Sequence, residues 1–282
     1  MDGRACSSKI KESLKEKVES MKGKGMEPVL ATILVGDDPS SKLYVGSKHK
    51  VAAEIGISSK NFQLPSDAKP DELKTLISEL NADETVDGIL LQLPIPKHLD
   101  SRQLIEGMSP DKDVDGLTST NMGRLVNGEP FLVPCTPLGV VELLHQYSIP
   151  MSGKNVVIIN RSSLVGKPLF HLLLREDATV TICHSKSRNI ASFTTNADMV
   201  VTAVGQRPPF TLIGEMVKEG AVVVDVATNR VEGKLVGDAD FDGVSKKASY
   251  ITPVPGGIGP MTVIMLMSNT LKAALARRTL GQ

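Results

Sequence analysis

The chain has 282 residues, enough for one large domain or two of medium size, and its 41% apolar and 23% charged residues are ordinary for a globular protein. Basic and acidic residues balance at 32 each, which argues against a dedicated nucleic-acid binder. With no Trp, three Tyr and six Phe, a stacking platform for single strands is not expected either.

The opening MDGRACSSKIKESLKEK lacks the apolar core of a signal peptide, and no apolar run approaches the roughly 18 residues of a membrane span. Its first element is a helix, capped by Ser7 or Ser8, with Ile10, Leu14, Val18 and Met21 on one stripe and Gly23 as the stop. VLATILVG (Val29–Gly36) is a continuous apolar, β-branched run that suits a strand covered on both faces. Helical periodicity returns over 39–54, polar alternation follows near Asn61–Leu64, and Pro70–Leu80 is helical with Leu73, Leu76, Ile77 and Leu80 inward. VDGILLQL (Val86–Leu93) is a second apolar strand, closed by Pro94 and Pro96. A helix is expected over Leu138–Tyr147. The pattern then restarts, with short buried-strand runs at 155–160, 178–183, 199–204 and 221–226 and helical stretches between the first three. This alternation predicts two α/β domains with an interdomain cleft, the second a Rossmann-like doubly wound parallel sheet. A last helix, about Met261–Arg278, packs back on the first domain. Cys6, Cys135 and Cys183 are widely spaced without a CxxC pair, so they read as reduced thiols of a cytoplasmic protein, not as a disulfide framework or zinc site.

Five segments carry residues fit for chemistry. Tyr44 and Lys48, at i and i+4 of a helix, share one face, and a lysine near an apolar pocket shuttles protons. Beside His49 and Lys50, the same residue taken alone better suits a solvated cationic face. Gln92 stands at the carboxyl end of a strand, where open α/β sheets bind ligands, though an amide bonded to loop backbone fits as well. Asp113 and Asp115 are too isolated for a metal; one of them can accept paired hydrogen bonds from a ligand, or form an Asx-turn. Asn160-Arg161-Ser162-Ser163-Leu164-Val165-Gly166 sits between a strand and a helix, the context of a dinucleotide loop, without the G-x-G-x-x-G fingerprint. At the end of the next strand, where an NAD-specific fold places an acid, stand Cys183-His184-Ser185-Lys186; Arg161, Ser185 and Lys186 suit a 2′-phosphate instead. A site for a phosphorylated metabolite without nucleotide is the alternative. Finally, ITPVPGGIGPMT (Ile251–Thr262) lets backbone approach a flat ligand or serves as a turn-rich connector, and Thr262 can open the last helix.

Together VLATILVGDDPSSKLYVGSKHK, GILLQLPIPKHL, KDVDGLTSTNMGRL, PCTPLGVVELL, NRSSLVGKP, ATVTICHSK and ITPVPGGIGPMT resemble, in order and spacing, the bifunctional methylenetetrahydrofolate dehydrogenase/methenyltetrahydrofolate cyclohydrolase family over essentially the whole chain. The resemblance implies that Lys48 is the proton shuttle of the cyclohydrolase step, that Tyr44 stacks near the one-carbon bridge, and that Gln92 orients the lysine. It implies that Asp115 anchors the pterin, with Asp113 as the fallback, and that Pro255, Gly256 and Gly259 close over the folate. Asn160, Arg161, Ser162, Ser185 and Thr228 fall at its NADP-binding positions. The implied domains are 1–119 with the C-terminal helix 261–282 for folate and 120–260 for NADP, in a homodimer without a metal, a nucleic acid or a membrane. Two positions depart from the pattern. Asn160 replaces a usual Gly, and asparagine's tolerance of positive φ is expected to keep the loop shape. Ala227-Thr228-Asn229 replaces Gly-Ile-Asn, adding a methyl and a hydroxyl near the nicotinamide.

Overall fold

In the computed structural model, which describes residues 1–279, the chain divides into two compact units, Lys9–Cys135 with Val263 onward, and Met1–Ser8 with Thr136–Thr262. The elements in chain order are α1 (Gly3–Lys22), β1 (Val29–Val35), α2 (Pro39–Ile55), β2 (Ser58–Leu64), α3 (Pro70–Ala82), β3 (Gly88–Leu91), α4 (Ser101–Glu106), α5 (Ser119–Val126) and α6 (Cys135–Gln146). They continue with β4 (Asn155–Ile159), α7 (Gly166–Arg175), β5 (Thr179–Cys183), α8 (Ala191–Thr194), β6 (Met199–Thr202), β7 (Val222–Asp225), β8 (Asn229–Val231), β9 (Lys234–Val236), α9 (Phe241–Ser245), β10 (Tyr250–Ile251) and α10 (Ile258–Thr279).

The Lys9–Cys135 unit is built on a parallel sheet in the order β2-β1-β3. Its central strand β1 is buried at nearly every position, as its unbroken apolar sequence requires. Ile33, Leu73, Ile77, Ile89 and Leu104 form a fully enclosed core between sheet and helices. The chain leaves β1 towards β2 and returns past it to β3. The order therefore reverses between β1 and β3, and Gln92, the residue after β3, stands at that switch point.

The second unit carries a five-stranded all-parallel sheet, β10-β7-β6-β4-β5, and the antiparallel hairpin β8-β9. Its switch point lies between β4 and β6. Val157, Ile159, Val200, Val223 and Val244 fill the core on one face.

Several boundaries differ from expectation. Helix α1 begins at Gly3, so Ser7 and Ser8 lie inside it; the Asp2 carboxylate accepts from the Arg4 and Ala5 N–H groups at the true start. Helix α10 begins at Ile258, and Thr262, one turn in, bonds back to the Ile258 carbonyl (3.3 Å) instead of capping. The segment 58–64 is a full strand at the sheet edge, its residues from Lys60 on alternating between half-buried and exposed. Contrary to the reading of apolar runs, Ile258–Arg278 is long and apolar enough to cross a membrane by composition, yet 67% of that stretch is buried in the protein, as suits a core helix.

Candidate active site

Helix α2 is defined at both ends. The Asp38 carboxylate accepts from the Ser41 N–H (2.7 Å), Pro39 opens the first turn, and Gly56 closes the helix in the left-handed region at φ 92°. Its inward stripe is Ser41, Val45, Lys48, Ala52 and Ile55, so the lysine occupies a core position on an apolar face. Lys48 is only 7% exposed, which rules out the solvated cationic face. Its Nζ donates to Gln92 Oε1 at 2.8 Å and lies 5.4 Å from the centroid of the Tyr44 ring. Gln92 is pinned in turn, since its Nε2 donates to the Leu93 carbonyl (2.6 Å) and its N–H to the Ile33 carbonyl (2.9 Å). Burial holds the Lys48 ammonium below the usual lysine range, against the opposing pull of Asp115 and Cys135. Burial likewise raises the Tyr44 phenol, although that side chain keeps an exposed edge.

Asp113 and Asp115, indistinguishable by spacing, separate in space. Asp113 Oδ2 accepts from the Thr118 N–H (2.8 Å) and Asn121 Nδ2 (3.0 Å), bracing the start of α5, where Thr118 is the N-cap. Its carboxylate is thus committed to the fold. Asp115 faces the lysine and Cys135 instead. Part of its residue surface remains exposed, but protein atoms crowd its carboxyl, and burial raises its pKa while Lys48 lowers it. Asn269 of α10 closes the rear of this cluster, its Nδ2 donating to the Val114 (2.9 Å) and Val133 (2.8 Å) carbonyls. Cys135 is buried and its thiol is pushed well above the usual range, so it is not a nucleophile. Lys48, Gln92, Tyr44 and Asp115 therefore gather in one unit, bringing together an amine, an amide, a phenol and a carboxyl group, the kinds of side chain that proton transfer and ligand anchoring use.

In the other unit, Ile159 of β4 pairs with Cys183 of β5, so the segments beginning at Asn160 and His184 leave adjacent strand ends. Asn160 does not adopt positive φ, contrary to expectation. It shapes the loop through its side chain: Oδ1 accepts from the Ser162 (2.7 Å) and Gly166 (3.0 Å) N–H groups, and Nδ2 donates to the Ala203 carbonyl (2.5 Å). Gly166 has to be glycine, because a Cβ there would stand 2.2 Å from the Asn160 carbonyl oxygen. Ser162 Oγ accepts from the Val165 N–H (3.1 Å). Arg161 is exposed, with no hydrogen bond or ion pair of its guanidinium among the described residues. Ser185 and Lys186 are exposed in the turn after β5, and Thr228 is exposed after β7. A cation free to pair, hydroxyls nearby and no acid in Cys183–Lys186 are a donor set that fits a phosphorylated ribose. Pro255 and Gly256 lie in the loop after β10, and Gly259 is in the first turn of α10. Gly256 needs its flexibility at φ 111°, and its carbonyl accepts from the Gly3 N–H (3.0 Å).

In this unit two buried carboxylates escaped the sequence reading. Asp238 accepts from Thr202 Oγ1 (2.7 Å), the Val204 (2.7 Å) and Gly205 (3.1 Å) N–H groups, and Asn229 Nδ2 (3.1 Å). Asp225, at the end of β7, accepts from the Ala239 (2.7 Å) and Ala227 (3.1 Å) N–H groups, and burial lifts it to about 6. A polar residue ending an apolar strand was the available signal for Asp225, the same one that marked Gln92.

Comparison with known proteins accounts for both halves. Residues 1–115 match the tetrahydrofolate dehydrogenase/cyclohydrolase catalytic domain, and residues 134–278 match the NAD(P)-binding domain of the same family. The chain is 54% identical over 275 residues to the bifunctional protein FolD of Cenarchaeum symbiosum, covering 97% of each. It superimposes on the crystal structure of the bifunctional methylenetetrahydrofolate dehydrogenase/cyclohydrolase of Campylobacter jejuni with a TM-score of 0.95 at 50% identity, covering 98% of each chain. The Trypanosoma brucei enzyme, solved with NADP cofactor and an inhibitor, matches with a TM-score of 0.93 at 39% identity, covering all of this chain and 98% of that one. This chain belongs to the tetrahydrofolate dehydrogenase/cyclohydrolase family.

Proposed function

We propose that the protein oxidises 5,10-methylenetetrahydrofolate to 5,10-methenyltetrahydrofolate with NADP⁺ and hydrolyses the product to 10-formyltetrahydrofolate, with one residue set serving both steps. The observation that carries the two-step reading is the buried Lys48–Gln92 bond at 2.8 Å, since a dehydrogenase alone has no use for a desolvated, oriented amine. NADP⁺ supplies the hydride acceptor, and Arg161, Ser162, Ser185 and Thr228 are the residues that would hold it, Arg161 on the 2′-phosphate. Hydride transfer asks the protein for positioning, which Asp115 supplies by accepting hydrogen bonds from the pterin. Tyr44 provides a flat face beside Lys48 for the one-carbon bridge.

In the second step water adds to the methenyl carbon. Neutral Lys48 takes one proton from the attacking water to leave a carbinol on the bridge carbon; the carbon–N5 bond then breaks as the carbinol oxygen becomes the carbonyl, its proton passes to N5, and the formyl group remains on N10. Gln92 serves this step by holding Nζ through an uncharged acceptor. Pro255, Gly256 and Gly259 are assigned to the folate as a close backbone surface. Residues 1–119 with 261–282 are read as the folate domain, supported by the bond from Asn269 to Val114, and 120–260 as the NADP domain. A homodimer in the cytoplasm completes the reading, consistent with three free thiols.

The test is a spectrophotometric assay of both half-reactions, with NADP⁺ and NAD⁺, on wild type and Lys48→Met. The variant keeps the apolar stem and loses the amine, so cyclohydrolase activity should vanish while NADP⁺ still binds. Hydrolysis near the wild-type rate would remove Lys48 from the mechanism.

A further inference from the structure

We propose that Asn160 is a positioning residue that presets the cofactor loop, tying it across the switch point of the second sheet before any cofactor arrives; the proposal rests on the NADP reading above. Strands β4 and β6 are neighbours in the sheet, and the crevice for a ligand opens outside their carboxyl ends. Asn160 is the first residue beyond β4, and Ala203 the first beyond β6. The 2.5 Å bond from Asn160 Nδ2 to the Ala203 carbonyl therefore spans the crevice floor. The far side of that bond is itself fixed, because Asp238 holds the next two N–H groups, of Val204 and Gly205.

From this anchored position Oδ1 reaches back to the N–H groups of Ser162 and Gly166. Each hydrogen of the Asn160 amide or lone pair named here acts on a different stretch of chain, so one side chain joins the strand end, the loop and the start of α7. The same bonds change how a phosphate can be held. In the common dinucleotide loop the first N–H groups of the helix are left free to face the pyrophosphate. Here the Ser162 and Gly166 donors are taken by Asn160, and the Val165 donor by Ser162 Oγ. The amide oxygen sits where an anion would otherwise be welcome, and recognition passes to side chains, Arg161 foremost. An asparagine suits this task because it supplies acceptor and donor together without adding a negative charge next to the phosphates.

The test is Asn160→Ala, which the backbone accommodates since φ at 160 is not positive. Freeing about one residue of loop backbone should raise the KM for NADP⁺ by about five- to thirtyfold, with kcat and the KM for the folate unchanged. Amide hydrogen exchange supplies an independent readout. In cofactor-free wild type the Ser162 and Gly166 amides should be protected, and in Asn160→Ala they should exchange rapidly. Asn160→Asp retains the oxygen acceptor and should retain that protection. Unprotected amides in the wild type, an unchanged KM for NADP⁺, or an equal rise in both KM values would overturn the proposal. If the wild type failed to turn over NADP⁺, the functional reading would fall, and the exchange data would still decide the clamp.

Discussion

Replacing Gln92 by Glu tests the proton relay with almost no change of shape. The wild-type amide presents a neutral oxygen 2.8 Å from Lys48 Nζ, in a site where burial already lowers the lysine's pKa. A carboxylate at that distance attracts the ammonium by about 6 kcal/mol at an effective dielectric of 20. Desolvation of the new charge, beside Asp115, offsets part of this. Shifts of about 1–3 pKa units, or about 1.4–4 kcal/mol, are the usual outcome of an opposite charge in contact. The shift is upward, since the charged form is the one stabilised. At neutral pH the fraction of neutral Lys48 then falls about 10- to 1000-fold, and hydrolysis of methenyltetrahydrofolate falls with it. Rate–pH profiles of the hydrolysis decide the matter. In wild type the rate should rise with pH and level off below the ordinary lysine value; in Gln92→Glu the same rise should be displaced to higher pH. Hydride transfer, which uses no proton carrier, should stay within roughly threefold. A profile that does not move, or equal losses in both half-reactions, would refute the reasoning.

Asp115→Ala should weaken folate binding by about 1–3 kcal/mol and leave NADP⁺ binding intact, because it removes the one carboxylate of the pair not committed to the fold. Titration with each ligand checks this, and equal losses would return Asp115 to a structural role. Arg161→Ala should erase most of the preference for NADP⁺ over NAD⁺, about 1.5–3 kcal/mol for one charged hydrogen bond, read from the two kcat/KM values. A wild-type preference for NAD⁺ would sink the assignment of that residue. Asp225 is raised from 3.8 to about 6 by burial, so the folded state binds its proton more tightly than the unfolded state does. Stability therefore falls as pH rises from about 4 to about 6 on its account, and urea unfolding should show a shallower decline over that window in Asp225→Asn. Equal slopes in the two proteins would contradict the shift.

Long elements were legible because burial imposes their pattern, an unbroken apolar run where both faces are covered and a stripe where one face is. The β1 run and the stripe of α3 follow directly from it. The short elements were not: α8 has four residues, β8 and β9 have three each and β10 has two, too few to set a period. Their positions come from register with longer strands. Lys48 was more readable than its neighbours His49 and Lys50 suggested, since Ser41, Val45, Ala52 and Ile55 already mark its stripe as inward. The choice between Asp113 and Asp115 was beyond spacing, because it depends on Thr118 and Asn121 arriving at one carboxylate. Asn160 was misjudged for a related reason. Backbone tolerance of positive φ is a local property, whereas its actual use is a contact with Ala203, 43 residues away.

The two units solve a common problem in the same way. In each sheet the strand order reverses beside a strand whose next residue is a side-chain amide, Gln92 after β3 and Asn160 after β4. Each amide donates to a main-chain carbonyl at the strand ends, Leu93 or Ala203, and so is fixed before it acts. Each then offers its oxygen to a donor that matters to the chemistry, the Lys48 amine in one case and the loop N–H groups in the other. A carboxylate in either place would make a stronger bond and the wrong one. On the roles proposed above, it would hold Lys48 charged when the hydrolysis needs it neutral, and it would set a negative charge beside the phosphate assigned to Arg161. Neutral, two-ended groups orient without titrating, which suits a site proposed to serve a hydride transfer and a proton transfer in succession.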